Sequence, residues 1–177
     1  MTLDVEKRAL PSLLKPGMGK IPETSDHYRT KEQMVADVVL ALKSKMSFAG
    51  KHSVLRTVCW HWTEINGKYK GCEWWTKAAM ELFDDDSKTR LLRHEHAVPK
   101  SIVIGMLFTL KPVTAEAVRA MFDQFLVGVV VTTKEDTVLN LFRNTMPPEF
   151  FDQTCPEYHD PMLRYKQCGL QVVQRCW

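Results

Sequence analysis

The run Leu126-Val127-Gly128-Val129-Val130-Val131 limits the possible folds more than any other stretch of this chain. Consecutive β-branched residues lose side-chain freedom in a helix and pack well on a pleated surface, so the run reads as a strand. It is apolar on both sides of the pleat, so both faces of that strand must be covered. Most of what surrounds it has a helical period instead. Met34, Val38, Leu42 and Met46 recur every four residues behind Thr30, and Gln33 completes a capping box with Thr30, which predicts a helix over 31–46. Pro99 suits the first turn of another helix, carrying Ile102, Met106, Leu107 and Leu110 and broken by Lys111-Pro112. Thr114 can cap a third, with Ala117, Met121 and Phe125 along it. Thr132 or Thr133 caps a fourth, from Lys134 to about Asn144, ended by Pro147-Pro148. Leu170-Gln171-Val172-Val173 offers a last short strand. The fold expected is α+β: a mostly helical single domain with one small β-sheet.

Two stretches read less directly. Val54, Leu55, Val58, Trp62 and Ile65 fit a helix closed by a left-handed cap at Asn66-Gly67. Val58, Trp60 and Trp62 also fit a strand, with Asn66-Gly67 as a hairpin turn. The length of the run and the lack of a matching strand after the turn favour the helix. Trp74 to Phe83 reads as the next helix, closed by the acidic run at 84–86. At the N-terminus, Pro11, Pro16, Gly17, Gly19 and Pro22 break both kinds of regular structure. Residues 1–28 are therefore expected as an extended arm, and 29–177 as one globular domain.

The arm holds Lys7, Arg8, Lys15 and Lys20 and, between Lys7 and Lys20, no acid, within a chain of net charge +3. Such a segment can meet nucleic acid or simply be solvated. The five cysteines include no C-x-x-C pair, so reduced thiols are expected rather than disulfides or a cysteine zinc site. No apolar run approaches the length of a membrane span, and the first residues lack the apolar core of a signal peptide, which points to a cytoplasmic protein without membrane contact.

The chemistry concentrates in His94-Glu95-His96-Ala97-Val98-Pro99. Three titratable side chains in a row are costly to bury without partners. Imidazole and carboxylate together can bind a divalent metal and take a proton from water, the two needs of phosphodiester cleavage. An ion pair between Glu95 and Arg90, Arg93 or a lysine, with the imidazoles capping backbone groups, is the structural alternative. The order acidic residue, His, small residue, Val, Pro resembles the first strand of the HNH, or ββα-metal, nucleases. The resemblance implies a second strand at Val127 to Val131, then a helix at Lys134 to Asn144. It implies Glu95 as metal ligand, His96 as general base and Asn140 as ligand or orienting group, with Mg²⁺ or Mn²⁺ as cofactor. The family's terminal His is absent here, so Asn144, Asp136 or Glu135 would stand in, with His94 in support. Two helices, a long insert for the family, separate the motif from the second strand. Near the C-terminus, Arg164 can meet a phosphate or form a surface ion pair.

A phosphate-cradling Gly-rich loop, a nucleophile elbow and a dinucleotide fingerprint are all missing, which argues against nucleotide-dependent enzymes and serine hydrolases. The expected function is a metal-dependent nuclease acting on DNA or RNA. The alternative is a small non-enzymatic inhibitor of the phage or mobile-element kind, occluding a protein or nucleic-acid partner. A third possibility is a nucleic-acid-binding module using the arm and the tryptophans, whose rings can stack bases but more often fill cores.

Overall fold

The structure, a computed structural model, describes Glu23 and residues 28–69, 71–83 and 86–175. The expected arm, including Lys7, Arg8, Lys15 and Lys20, lies outside the described residues except for Glu23 and Tyr28. In chain order the elements are α1 (Lys31–Lys43), α2 (Phe48–Glu64), β1 (Trp74–Thr76), α3 (Lys77–Phe83), β2 (Leu92–His96), α4 (Lys100–Thr109), α5 (Ala115–Phe125), β3 (Gly128–Thr132), α6 (Thr133–Leu139), α7 (Leu163–Gln167) and β4 (Val172–Gln174). Short 3₁₀ turns lie at Asp86–Leu91, Asn140–Phe142 and Pro148–Phe151. This is the α+β architecture expected.

The sheet order is β2-β3-β1-β4. β3 runs antiparallel to β2 and parallel to β1, and β4 closes the far edge antiparallel to β1. The valine run occupies an inner position, and Val129, Val130 and Val131 are fully buried. Val130 packs with Trp75, Leu92 and Ala79 on one face. Val129 and Val131 pack with Ala97, Leu139 and Tyr165 on the other. The main core is helical, built from Val38, Leu55, Val58, Leu107 and Phe122, with Trp62 edge-on to Phe122 at 4.9 Å. Among the described residues, no helix is long and apolar enough to cross a membrane.

Local chemistry explains most boundaries. Thr30 and Gln33 form the expected capping box on α1. The helix stops at Lys43 rather than 46, because the Ser44 hydroxyl donates to the Ala41 carbonyl and its amide takes the Leu40 carbonyl. Met46 therefore leaves the apolar face and is 44 % exposed. Phe48–Glu64 is a helix and not a strand; Ser47 caps it, and the chain turns at Gly67, whose φ is 102°. Only glycine tolerates that angle without strain. Trp74-Trp75-Thr76, expected as the start of a helix, is instead an inner strand between β3 and β4. Thr76 then accepts from the Ala79 amide and so begins α3. The helix expected from Lys134 to Asn144 is α6 alone, capped by a box between Thr132 and Glu135. It tightens into a 3₁₀ turn from Asn140. β-branched Thr137 and Val138, followed by an asparagine that competes for the backbone, are poor material for another turn.

Candidate functional site

β2 is an edge strand, and a cleft of about 770 Å³ opens along it between α2, the start of α4 and the segment after α6. His94, Glu95 and His96 all line it, and so do Asp136, Asn140, Asn144 and Arg164. Residues distant in sequence thus converge because β2 and β3 pair antiparallel, from Leu92 opposite Thr132 to His96 opposite Gly128, and α6 follows β3 directly. Asn140 and Asn144 are not one helical turn apart on a common face, since α6 ends at Leu139; both nonetheless reach the cleft.

Alternation along β2 splits the triad between two environments. His94 and His96 face α2. Thr63 Oγ1 lies 3.1 Å from His96 Nε2, and the same hydroxyl donates to the Trp60 carbonyl. His96 is 7 % exposed, and burial, with His94 and Lys100 nearby, pulls its pKa down to about 3. His94 Nδ1 is 3.8 Å from Glu64 Oε1, beyond a hydrogen bond. Burial, with Lys68 next, lowers its pKa to about 4. Its ring lies where a side chain at position 128 would point; a Cβ there would come 2.4 Å from Nε2, so Gly128 makes room for it. Both imidazoles are neutral at pH 7.

Glu95 faces the other way. One oxygen sits 3.4 Å from Arg164 Nη2, and burial raises the carboxyl pKa, opposed by Arg164 and reinforced by Asp136. Arg164, expected at a phosphate or a surface ion pair, is only 2 % exposed and is spent on the protein. Its Nε donates to the Ala97 carbonyl at 2.9 Å, and Nη2 donates to the His96 carbonyl. It holds the end of β2 in place. A planar guanidinium with fixed donors suits that task, and an ammonium would not.

Glu95 and Asp136 supply carboxylate oxygens and Asn140 an amide oxygen. Among the described residues, no group of three or more His, Cys, Asp or Glu side chains could hold a metal ion. Mg²⁺ is commonly bound through one or two carboxylates completed by water and phosphate oxygens.

Several lining residues were not singled out from sequence. The cleft carries six arginines and lysines, Arg56, Lys68, Arg93, Lys100, Arg143 and Arg164, against two carboxylates, so it favours an anion. His52, Arg56 and Trp60 form a row at a spacing of four along α2, flanking its apolar face of Leu55, Val58, Cys59 and Trp62. That polar row was the available signal. Lys100, directly after Val98-Pro99, was another.

Trp62 and Trp75 are buried, and Trp75 Nε1 donates to the Cys72 carbonyl at 2.7 Å. Cys59, Cys72, Cys155 and Cys168 are free thiols. No protein-family model, curated protein or solved structure matches the chain.

Proposed function

We propose that the cleft hydrolyses phosphodiester bonds in nucleic acid with a divalent cation, in the manner of the HNH nucleases its motif resembles. The observation that carries the reading is the order strand, strand, helix formed by β2, β3 and α6. It gathers His96, Glu95, Asp136 and Asn140 from two distant segments into one cation-lined cleft. A buried ion pair alone would not require Asp136, Asn140, Arg56, Lys68, Lys100 and Arg143 around the same opening.

In this reading Lys100, Arg56 and Arg143 hold the phosphate, and Glu95, Asp136 and Asn140 hold the cation. When bound, the cation stabilises charge on the phosphate and on the leaving oxygen. His96 receives the proton of the attacking water as its oxygen joins phosphorus; the bond to the leaving oxygen breaks, and that oxygen takes a proton from solvent. In the free protein Lys100 and His94 help to lower the His96 pKa. A bound phosphate opposes that field, so the imidazole becomes a stronger base when substrate is present.

The test is paired. Cleavage of plasmid and RNA is followed with Mg²⁺, with Mn²⁺ and with chelator, beside thermal melting. His96→Ala should lower cleavage by ~10²–10⁴-fold. Glu95→Gln should weaken the metal dependence and spare nucleic-acid binding. A wild type that cleaves nothing with either metal overturns the proposal and favours an occluding, non-enzymatic protein. A His96→Ala protein that cleaves as the wild type does removes His96 from the chemistry.

A further inference from the structure

Trp60 is out of place in a protein that buries Trp62 and Trp75. It is 43 % exposed, lies on the cleft wall and faces the same opening as His96, with ring centroids 6.2 Å apart. The Lys100 ammonium stands 4.2 Å from its ring centroid. One helical turn earlier, Arg56 is exposed on the same wall, and His52 lies a further turn back. An indole left in solvent costs hydrophobic free energy, and the buried side of α2 is filled by Leu55, Val58, Cys59 and Trp62; Trp60 instead donates to the Glu64 carboxylate and meets Lys100 over its ring.

From this arrangement we infer that the cleft takes single-stranded nucleic acid, with one unpaired base stacked on Trp60 and its flanking phosphates on Arg56 and Lys100. The inference rests on the phosphodiesterase reading of the same cleft and narrows its substrate. A base inside a duplex is covered above and below by its neighbours and has no face to offer an indole. An unstacked base has one, and stacking on aromatic side chains beside basic groups is how single strands are held without sequence preference. Size agrees. At about 770 Å³ the cleft falls within the range of small-ligand pockets. The stacked base would also set register, because Trp60 and His96 are adjacent rings: the phosphate beside that base is the one presented to His96.

Binding is measured by fluorescence anisotropy in chelator, so that cleavage plays no part, with a labelled thymidine oligonucleotide and a duplex of equal length. The wild type should prefer the single strand by at least about tenfold. Trp60→Leu keeps an apolar side chain but no π face, and should weaken single-strand binding by about 5- to 150-fold, the usual loss for one stacked base, while leaving duplex binding unchanged. Trp60→Phe should recover most of the affinity. Melting curves establish that each variant is folded, and the Phe variant keeps the test decisive if the Leu variant is not. Equal binding of duplex and single strand, or a folded Trp60→Leu protein that binds like the wild type, overturns the inference. Single-strand preference that depends on Trp60, without cleavage under any metal, would sustain it and sink the nuclease reading. Cleavage indifferent to Trp60 would do the reverse.

Discussion

His96 and Glu95 are neighbours in sequence and live on opposite faces of one edge strand. On the α2 face, His94 and His96 are packed beneath a helix, desolvated and held neutral, with pKa values of about 4 and about 3. On the α6 face, Glu95 keeps a guanidinium on one oxygen and has Asp136 nearby. On a flexible loop an adjacent His and Glu could fold onto each other and cancel as an ion pair. The pleat of β2 prevents that and lets each group take its character from a different helix. The strand thus offers the cleft an uncharged proton acceptor on one side and oxygen donors on the other.

The largest expected effect comes from removing what fixes this division. Arg164→Ala would leave the His96 and Ala97 carbonyls without their guanidinium partner and Glu95 buried without its counter-charge. We expect a loss of about 3–5 kcal/mol, measured by urea denaturation, with Arg164→Lys recovering only part. A loss no greater than that of Arg143→Ala, on the exposed cleft wall, would mean that Arg164 does not hold the strand end.

Acid should next expose the α2 face. Both imidazoles bind protons more readily in the unfolded chain than in the folded one. Stability is therefore complete above pH 6.5 and falls as the pH drops toward the folded values. Each titrating imidazole removes about 1.4 kcal/mol per pH unit over that window. Glu64 and Glu95, whose pKa values are raised by burial, act in the opposite sense and return part of the loss as the pH falls from their raised folded values to about 4.5. Urea midpoints at pH 7, 6 and 5 should decline in the wild type and flatten in a His94→Gln/His96→Gln double variant. A flat wild-type profile would mean that the imidazoles are not buried as neutral rings.

Gly128→Ala probes the same face by volume. The added methyl would meet the His94 ring, at a cost of about 1–3 kcal/mol. In a His94→Ala background the cost should vanish, and a double-mutant cycle by thermal melting reads the coupling. An unchanged penalty there would place the strain elsewhere. The smallest effect belongs to the α6 face. Asp136→Asn relieves like-charge repulsion on Glu95 and should raise stability slightly, by up to about 0.5 kcal/mol, while weakening the response to Mn²⁺. A destabilised Asp136→Asn protein with undiminished Mn²⁺ response would contradict a metal-binding role.

Much of this was legible in the sequence. The Thr30 and Thr114 caps sit where their spacing says. Thr132 and Glu135 were available in the same way, and the valine run reads as a buried strand. Trp74-Trp75-Thr76 misled because two tryptophans before an alanine-rich stretch carry no period of their own. Pairing with β3 and β4 decided their conformation, and pairing is not a local property. Helix α6 was read too long because its prolines lie well beyond the point where its last turn tightens.

What the sequence determined by itself was the chemistry on offer and the local structure that carries it: His94-Glu95-His96 ahead of Val98-Pro99, a buried strand, and a capped helix after it. Those follow from covalent order and from contacts within a few residues. What only the tertiary structure decided was which groups share a space and in what dielectric. His96 reads as a general base in sequence and becomes a buried neutral ring because Thr63 and Trp60 of α2 lie over it. Arg164 reads as a phosphate contact and becomes an internal clamp because α7 carries it beneath the end of β2. Trp60 reads as one tryptophan among several and is left in the cleft because the neighbouring face of α2 fills the core. Burial and long-range proximity set solvation, and solvation sets what a titratable side chain can do.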